Sequence, residues 1–99
     1  MARKIRRSTG NVFRDLGFDA AESANLKLRS DLMIELSKLI KARRLTQAKA
    51  AALFGVSQPR VSDLVRGRIE RFSVDTLVAM LGNAGARVEL IVRPRSRVA

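Results

Sequence analysis

Apolar residues recur at intervals of three and four along residues 19–43, which is the period of one face of an α-helix. The members of this stripe are Leu28, Leu32, Met33, Leu36, Leu39 and Ile40. Asp19 is a suitable N-cap, and the cations of the sequence KARR favour a helix C-terminus near Arg43. The pattern predicts one long amphipathic helix whose apolar stripe faces a core.

Two short helices are predicted next, from caps and glycine stops. Thr46 can cap a helix that ends at Gly55, and Ser57 can cap another that stops at Gly67. Helices of this length do not persist alone in water. We therefore expect the long helix to support both, with Gly55 supplying the positive φ of a sharp turn between them.

A fourth helix and a strand are predicted in the C-terminal third of the chain. Ser73 can cap a helix that ends at residues 83–85. After it the apolar period changes to two, because Val88, Leu90 and Val92 alternate with mostly polar neighbours. This alternation predicts a β-strand over residues 86–92.

The chain is predicted to form one small domain. Residues 1–11 are basic and aperiodic, which is typical of a flexible arm, and residues 94–99 form a basic tail. Residues 12–93 are expected to fold together, because no composition shift divides them. The expected fold class is all-α with one short C-terminal strand.

Composition argues against catalysis and metal binding. The 99 residues include no cysteine and no histidine, so thiolate sites and the usual neutral-pH proton shuttle are missing. No paired carboxylates suit acid–base work. We expect no enzyme activity, no metal and no cofactor. No apolar run is long enough to span a bilayer and no signal-peptide pattern is present, so a cytoplasmic protein without membrane association is expected.

The formal net charge of +11 favours a polyanionic partner, although a membrane surface or simple solubility are alternatives. Arg3, Lys4, Arg6 and Arg7 concentrate charge in the arm. The arm could follow DNA phosphates or the minor groove, or it could be a solubility tail.

A polar row lies on the outside of the third predicted helix. Val56, Val61 and Leu64 are apolar at positions that would face inward. The residues left facing outward are Gln58, Pro59, Arg60 and Asp63. A rigid helix with such a row suits the major groove of DNA, where Gln can pair with adenine and Arg with guanine.

Residues 36–81 closely resemble the helix-turn-helix of the Cro/cI (XRE) repressor family. The resemblance implies a compact, lambda-repressor-like domain of four to five helices that binds double-stranded operator DNA. It implies base contacts for Gln58, Pro59, Arg60 and Asp63 and a phosphate contact for Gln47. For Asp63, a bond to cytosine and a tether to Arg60 or Arg66 remain alternatives.

Further residues around the motif are candidates for contacts with the DNA backbone, or else form a solvated polar rim. Together with Gln47 they are Arg43, Arg44, Lys49, Ser57, Ser62, Arg66, Arg68 and Arg71. Lys49 stands where an acidic residue is frequent in the family, so a capping box is lost there while a phosphate contact could be gained.

A narrower resemblance covers nearly the whole chain. The segments NVFRDLGF, LTQAKAA, SQPRVSDLVRGRIERFS and VELIVRP are similar to HigA-type antitoxins. That group implies a homodimer that represses its own operon and often neutralises a RelE-like toxin ribonuclease. The acidic residues within 15–35 are then either the polar face of a helix or a patch for a basic toxin. A non-specific architectural or RNA-binding protein fits the charge, but no Tyr or Trp is present to stack on bases.

The predicted strand has no obvious partner strand in this chain, unless residues 12–18 are extended. A lone strand is unstable. We therefore expect the same strand of a second copy to pair with it across a two-fold axis, with Val88, Leu90 and Val92 in the dimer interface. A toxin strand could alternatively add to the open edge.

Overall fold

A computed structural model describes residues 2–5 and 19–94 of the chain. The elements in chain order are strand β1 (Ala2–Ile5), helix α1 (Ala20–Ala42), helix α2 (Gln47–Phe54), helix α3 (Gln58–Val65), a 3₁₀ turn (Ile69–Arg71), helix α4 (Val74–Asn83) and strand β2 (Arg87–Leu90). The predicted fold class is confirmed: within the described ranges, four α-helices precede a short C-terminal strand.

All four predicted N-caps are confirmed. The side chains of Asp19, Thr46, Ser57 and Ser73 each accept a hydrogen bond from the backbone N–H three residues later. Each bond satisfies an N–H group that the helix itself cannot use, and such a cap typically contributes about 1 kcal/mol. Local sequence therefore determines where each helix begins.

The core lies where α1 meets the three shorter helices. Leu32 and Leu36 of α1 are fully buried, as are Phe54 of α2 and Leu77 of α4. The predicted apolar stripe of α1, including Met33, lies in this core or packs against it. No helix among residues 19–94 combines the length and the apolar character needed to cross a membrane.

The turn between α2 and α3 is fixed from a distance. Gly55 ends α2 with φ +72°, and Asn83 Nδ2 donates a 2.9 Å hydrogen bond to the carbonyl of Phe54. A Cβ atom on Gly55 would lie 2.8 Å from that nitrogen. The angle between the two short helices is therefore held by α4 as well as by the glycine.

The strands correct two expectations. β1 pairs with β2 in parallel, from Ala2 opposite Arg87 to Ile5 opposite Leu90. Residues 2–5 of the predicted arm thus form a paired strand, and the premise that the C-terminal strand lacks a partner in this chain is wrong. A four-residue strand has too little alternation to be recognised, and a parallel pairing across the whole domain leaves no local signal. Residues 6–18, which include the apolar segment 12–18, lie outside the described residues.

Candidate nucleic-acid interface

Helix α3 presents the polar row in two parts. Val61 and Leu64 are buried against the core, which fixes the rotation of the helix about its axis. Gln58 and Pro59, at its N-terminal end, are exposed. Arg60 and Asp63, which the sequence places on the same outward side, are half-buried. The solvent-facing part of the row is therefore concentrated at the first turn of α3.

Arg60 lies along the protein surface. Its guanidinium carbon is 5.3 Å from the centre of the Phe72 ring, a cation–π distance. Its Nη1 donates to the carbonyl oxygen of Arg71. Phe72 itself is buried, so this contact joins α3 to the segment that follows it. Because a guanidinium has five N–H donors, the remaining ones stay available to another acceptor.

Asp63 is turned towards the same segment. Its Oδ1 lies 3.8 Å from Arg68 Nε, and its Oδ2 lies 3.5 Å from Arg71 Nη1. The side chain of Asp63 is 17% exposed, compared with 42% for Arg68 and 53% for Arg71. The expected tether partners, Arg60 and Arg66, are not the ones observed. The carboxylate instead holds two arginines that lie beyond the end of α3.

Residues 66–73 form the arginine loop, which carries Arg66, Arg68 and Arg71. Its backbone is attached to α1 by Arg29, whose Nη1 lies 3.1 Å from the Ile69 carbonyl and 3.3 Å from the Phe72 carbonyl. Asn25 accepts from Arg29 Nε at 2.7 Å and orients the guanidinium. Sequence reasoning missed Arg29, because its partners lie some forty positions away and nothing local marks the contact.

The remaining candidate residues for backbone contacts lie after the end of α1, at the start of α2, at the cap of α3 and within it, and in the arginine loop. Ser62 and Arg68 are half-buried. The exposed members are Arg43, Arg44, Gln47, Lys49, Ser57, Arg66 and Arg71. Arg43 also donates from Nη2 to the Ala84 carbonyl at 3.4 Å, which connects the end of α1 to the end of α4. The surface formed by α3, the arginine loop and the end of α1 is rich in cations and suited to a polyanion.

Comparison with known proteins agrees with this geometry. A family model described as a helix-turn-helix domain matches residues 12–93. A solved structure of an XRE family transcriptional regulator superposes with a TM-score of 0.70 and is 38% identical, covering 79% of this chain and 90% of that one. No curated protein matches the chain. Because the family model spans most of the domain and the structural relative is similar over nearly its full length, the chain belongs to the XRE family of helix-turn-helix transcriptional regulators.

Proposed function

We propose that this DNA-binding regulator is a sequence-specific repressor that places α3 in the major groove of a two-fold symmetric operator. The observation that carries the proposal is the exposed first turn of α3. Gln58 and Pro59 project from a helix whose angle to α2 is fixed by Gly55 and Asn83. A recognition helix must be rigid and polar on its outer face to read base edges.

Base reading is divided among the residues of α3. Gln58 suits adenine, because its amide both donates and accepts and its side chain makes no hydrogen bond to a described residue. Pro59 shapes the first turn and offers an apolar contact to a thymine methyl group. Arg60 suits guanine, because its guanidinium has N–H donors beyond the one that binds the Arg71 carbonyl. Asp63 has its carboxylate directed at the arginine loop, which favours a tether over a bond to cytosine.

Phosphate contacts are proposed for residues on both sides of α3. Backbone contacts position a protein on the duplex and supply most of the salt-dependent affinity. Before α3 these residues are Arg43, Arg44, Gln47, Lys49 and Ser57. Within and after it they are Ser62, Arg66, Arg68 and Arg71.

A homodimer is proposed because repressors of this type bind paired half-sites about 34 Å apart. An unpaired strand does not support the dimer, since β2 pairs with β1. Two other observations support an interface beside β2. Leu90 is 55% exposed and Val92 is 90% exposed, and among the described residues β2 is paired along one edge alone. Val88 is half-buried and packs against the core, so it contributes less.

A toxin-binding role is a second candidate, and the similarity to HigA-type antitoxins motivates it. The exposed apolar residues beside β2 could accept a partner strand. The acidic residues of α1 favour it less, because Asp31 is paired with Lys27 and Glu35 with Lys38. These pairs support the interpretation of Asp31 and Glu35 as part of the polar face of a helix. We propose a cytoplasmic regulator without catalytic activity, whose main partner is DNA.

Selection of bound sites from random double-stranded DNA tests the proposal. We expect an inverted repeat whose half-sites are centred about one helical turn apart. Binding to the selected site should exceed binding to random DNA by roughly 10³-fold or more at physiological salt. Comparable affinity for selected and random DNA would show a non-specific architectural protein instead. Co-purification with a basic ribonuclease encoded beside the gene would establish the toxin-binding role.

A further inference from the structure

Besides its backbone bonds to the end of α3, the arginine loop is held by the side chains of Arg29, Arg60 and Asp63, which bind different parts of it. Arg29 binds the carbonyl groups of Ile69 and Phe72, and Arg60 binds the carbonyl group of Arg71. Both attachments act on the backbone of the loop. Asp63 is the third of these residues, and its carboxylate acts on the side chains of Arg68 and Arg71.

Because Arg29 and Arg60 bind the loop backbone, the effect of Asp63 on the loop side chains can be considered separately. An arginine side chain on a surface samples many rotamers, and fixing it costs conformational entropy. A carboxylate that pairs with two guanidinium groups reduces that freedom before any ligand arrives. Groups that are fixed in advance bind a partner with less ordering cost. Because other residues hold the loop backbone, the carboxylate can be removed without releasing the loop itself.

The position of Asp63 relates the loop to the recognition helix. Asp63 lies in the last turn of α3, and its backbone carbonyl also accepts from the N–H of Arg68 at 3.0 Å. Two arginines of the loop are therefore aligned on the same helix that enters the groove. Phosphate groups flank a major groove, so cations placed in register with the helix can meet them as the helix docks.

We propose that Asp63 is a positioning residue that holds Arg68 and Arg71 as a preformed phosphate clamp, and that it reads no base. The inference rests on the proposed function, since it assigns a role within DNA binding by α3. The proposal predicts a change in DNA affinity that is opposite in sign to the usual one. Removal of a negative charge from a DNA-binding surface should ordinarily strengthen binding. Removal of this one should weaken binding, because the loss of two aligned cations outweighs the lost repulsion.

The test compares Asp63→Asn with Glu70→Gln in salt titrations on selected and random DNA. Glu70 is a matched control, because it lies in the arginine loop, is exposed and has no ion pair among the described residues. Glu70→Gln should bind as tightly as the unmodified protein, or more tightly. Asp63→Asn should bind both DNAs more weakly, by roughly tenfold, which lies within the coupling seen in charge networks. Its salt slope should become shallower by up to about 1.8 per bound subunit, or about 0.9 per lost phosphate contact.

Two results would overturn the proposal. Tighter binding by Asp63→Asn, as for Glu70→Gln, would show that the carboxylate simply repels DNA. A loss confined to one base pair of the selected site, with random DNA unaffected, would show a base contact. Failure of the proposed function is distinguishable from both, because the unmodified protein would then show no preferred site.

A double-mutant comparison guards against a general loss of structure. In a protein that already carries Arg68→Ala and Arg71→Ala, Asp63 has no cation left to position. Adding Asp63→Asn to that background should leave affinity unchanged or raise it. A further loss in that background, with unfolding by urea unchanged, would contradict the positioning role. Asp63→Glu, which retains a carboxylate, should recover part of the salt slope.

Discussion

At the level of single residues, Arg60 has two competing sets of partners. In the free protein its guanidinium packs on Phe72 and binds the Arg71 carbonyl. A bidentate bond to guanine would use N–H donors of the same guanidinium, so it competes with these contacts. Arg60→Ala should therefore lower affinity for the selected site by about 1–3 kcal/mol and relax choice at one base pair. It should also lower the free energy of unfolding by about 1–2 kcal/mol, since a cation–π contact and a hydrogen bond are lost.

Gln58→Ala separates these two effects. The Gln58 side chain is exposed and makes no hydrogen bond to a described residue, so its removal should change the free energy of unfolding by less than about 0.5 kcal/mol. Affinity for the selected site should still fall. Urea unfolding and binding to single-base variants of the site measure both quantities. If Gln58→Ala and Arg60→Ala each lowered affinity for selected and random DNA equally, Gln58 and Arg60 would be phosphate contacts.

At the level of elements, the turn between α2 and α3 depends on Gly55. Ala at this position must adopt φ +72°, which costs about 1–2 kcal/mol, and its Cβ would displace the Asn83 amide from the Phe54 carbonyl. Loss of that hydrogen bond adds about 1 kcal/mol. Gly55→Ala should therefore destabilise the fold by about 2–3 kcal/mol in urea unfolding. Gly67→Ala is the control, because Gly67 has the same φ and open space around it. Equal losses for the two variants would exclude the Asn83 contact as a cause.

The same elements mark how far sequence could predict the fold and the site. Helices α1 to α4 and their caps follow from local signals, since apolar period and capping residues act within a few positions. The inward and outward sides of α3 follow from the same period. Asn83 and Arg29 act across 29 and 40 positions, and no local pattern marks such partners. β1 was missed for the same reason, and the contacts of Arg60 depend on a loop whose path sequence cannot predict.

At the level of the whole molecule, the basic residues Arg3 and Lys4 lie in strand β1, so charge and strand pairing must be tested separately. Replacing Arg3, Lys4, Arg6 and Arg7 by Gln tests the charge alone, because β1 pairs with β2 through backbone groups. If these residues follow DNA, the salt slope should become shallower by about 0.9 for each lost phosphate contact. Deletion of residues 1–7 should lower stability as well, since β2 then loses its partner. If the salt slope of the Gln variant were unchanged, these charges would serve solubility and would not contact DNA.

The proposed dimer interface beside β2 can be tested by mutation of Leu90. Leu90 is 55% exposed in the single chain, so Leu90→Asp should leave the monomer folded while placing a charge in the proposed interface. We expect sedimentation as a monomer and weak operator binding, because one recognition helix engages a half-site without the second. Ile34→Asp is the matched control, since Ile34 is 50% exposed and lies on α1, outside both strands. Ile34 lines an apolar groove with Val65 at the end of α3, which is the other exposed apolar surface of the described domain. If the dimer survived Leu90→Asp but were lost with Ile34→Asp, the interface would lie at that groove. Contacts of α1 and α3, and not the strands, would then set the spacing between the two recognition helices.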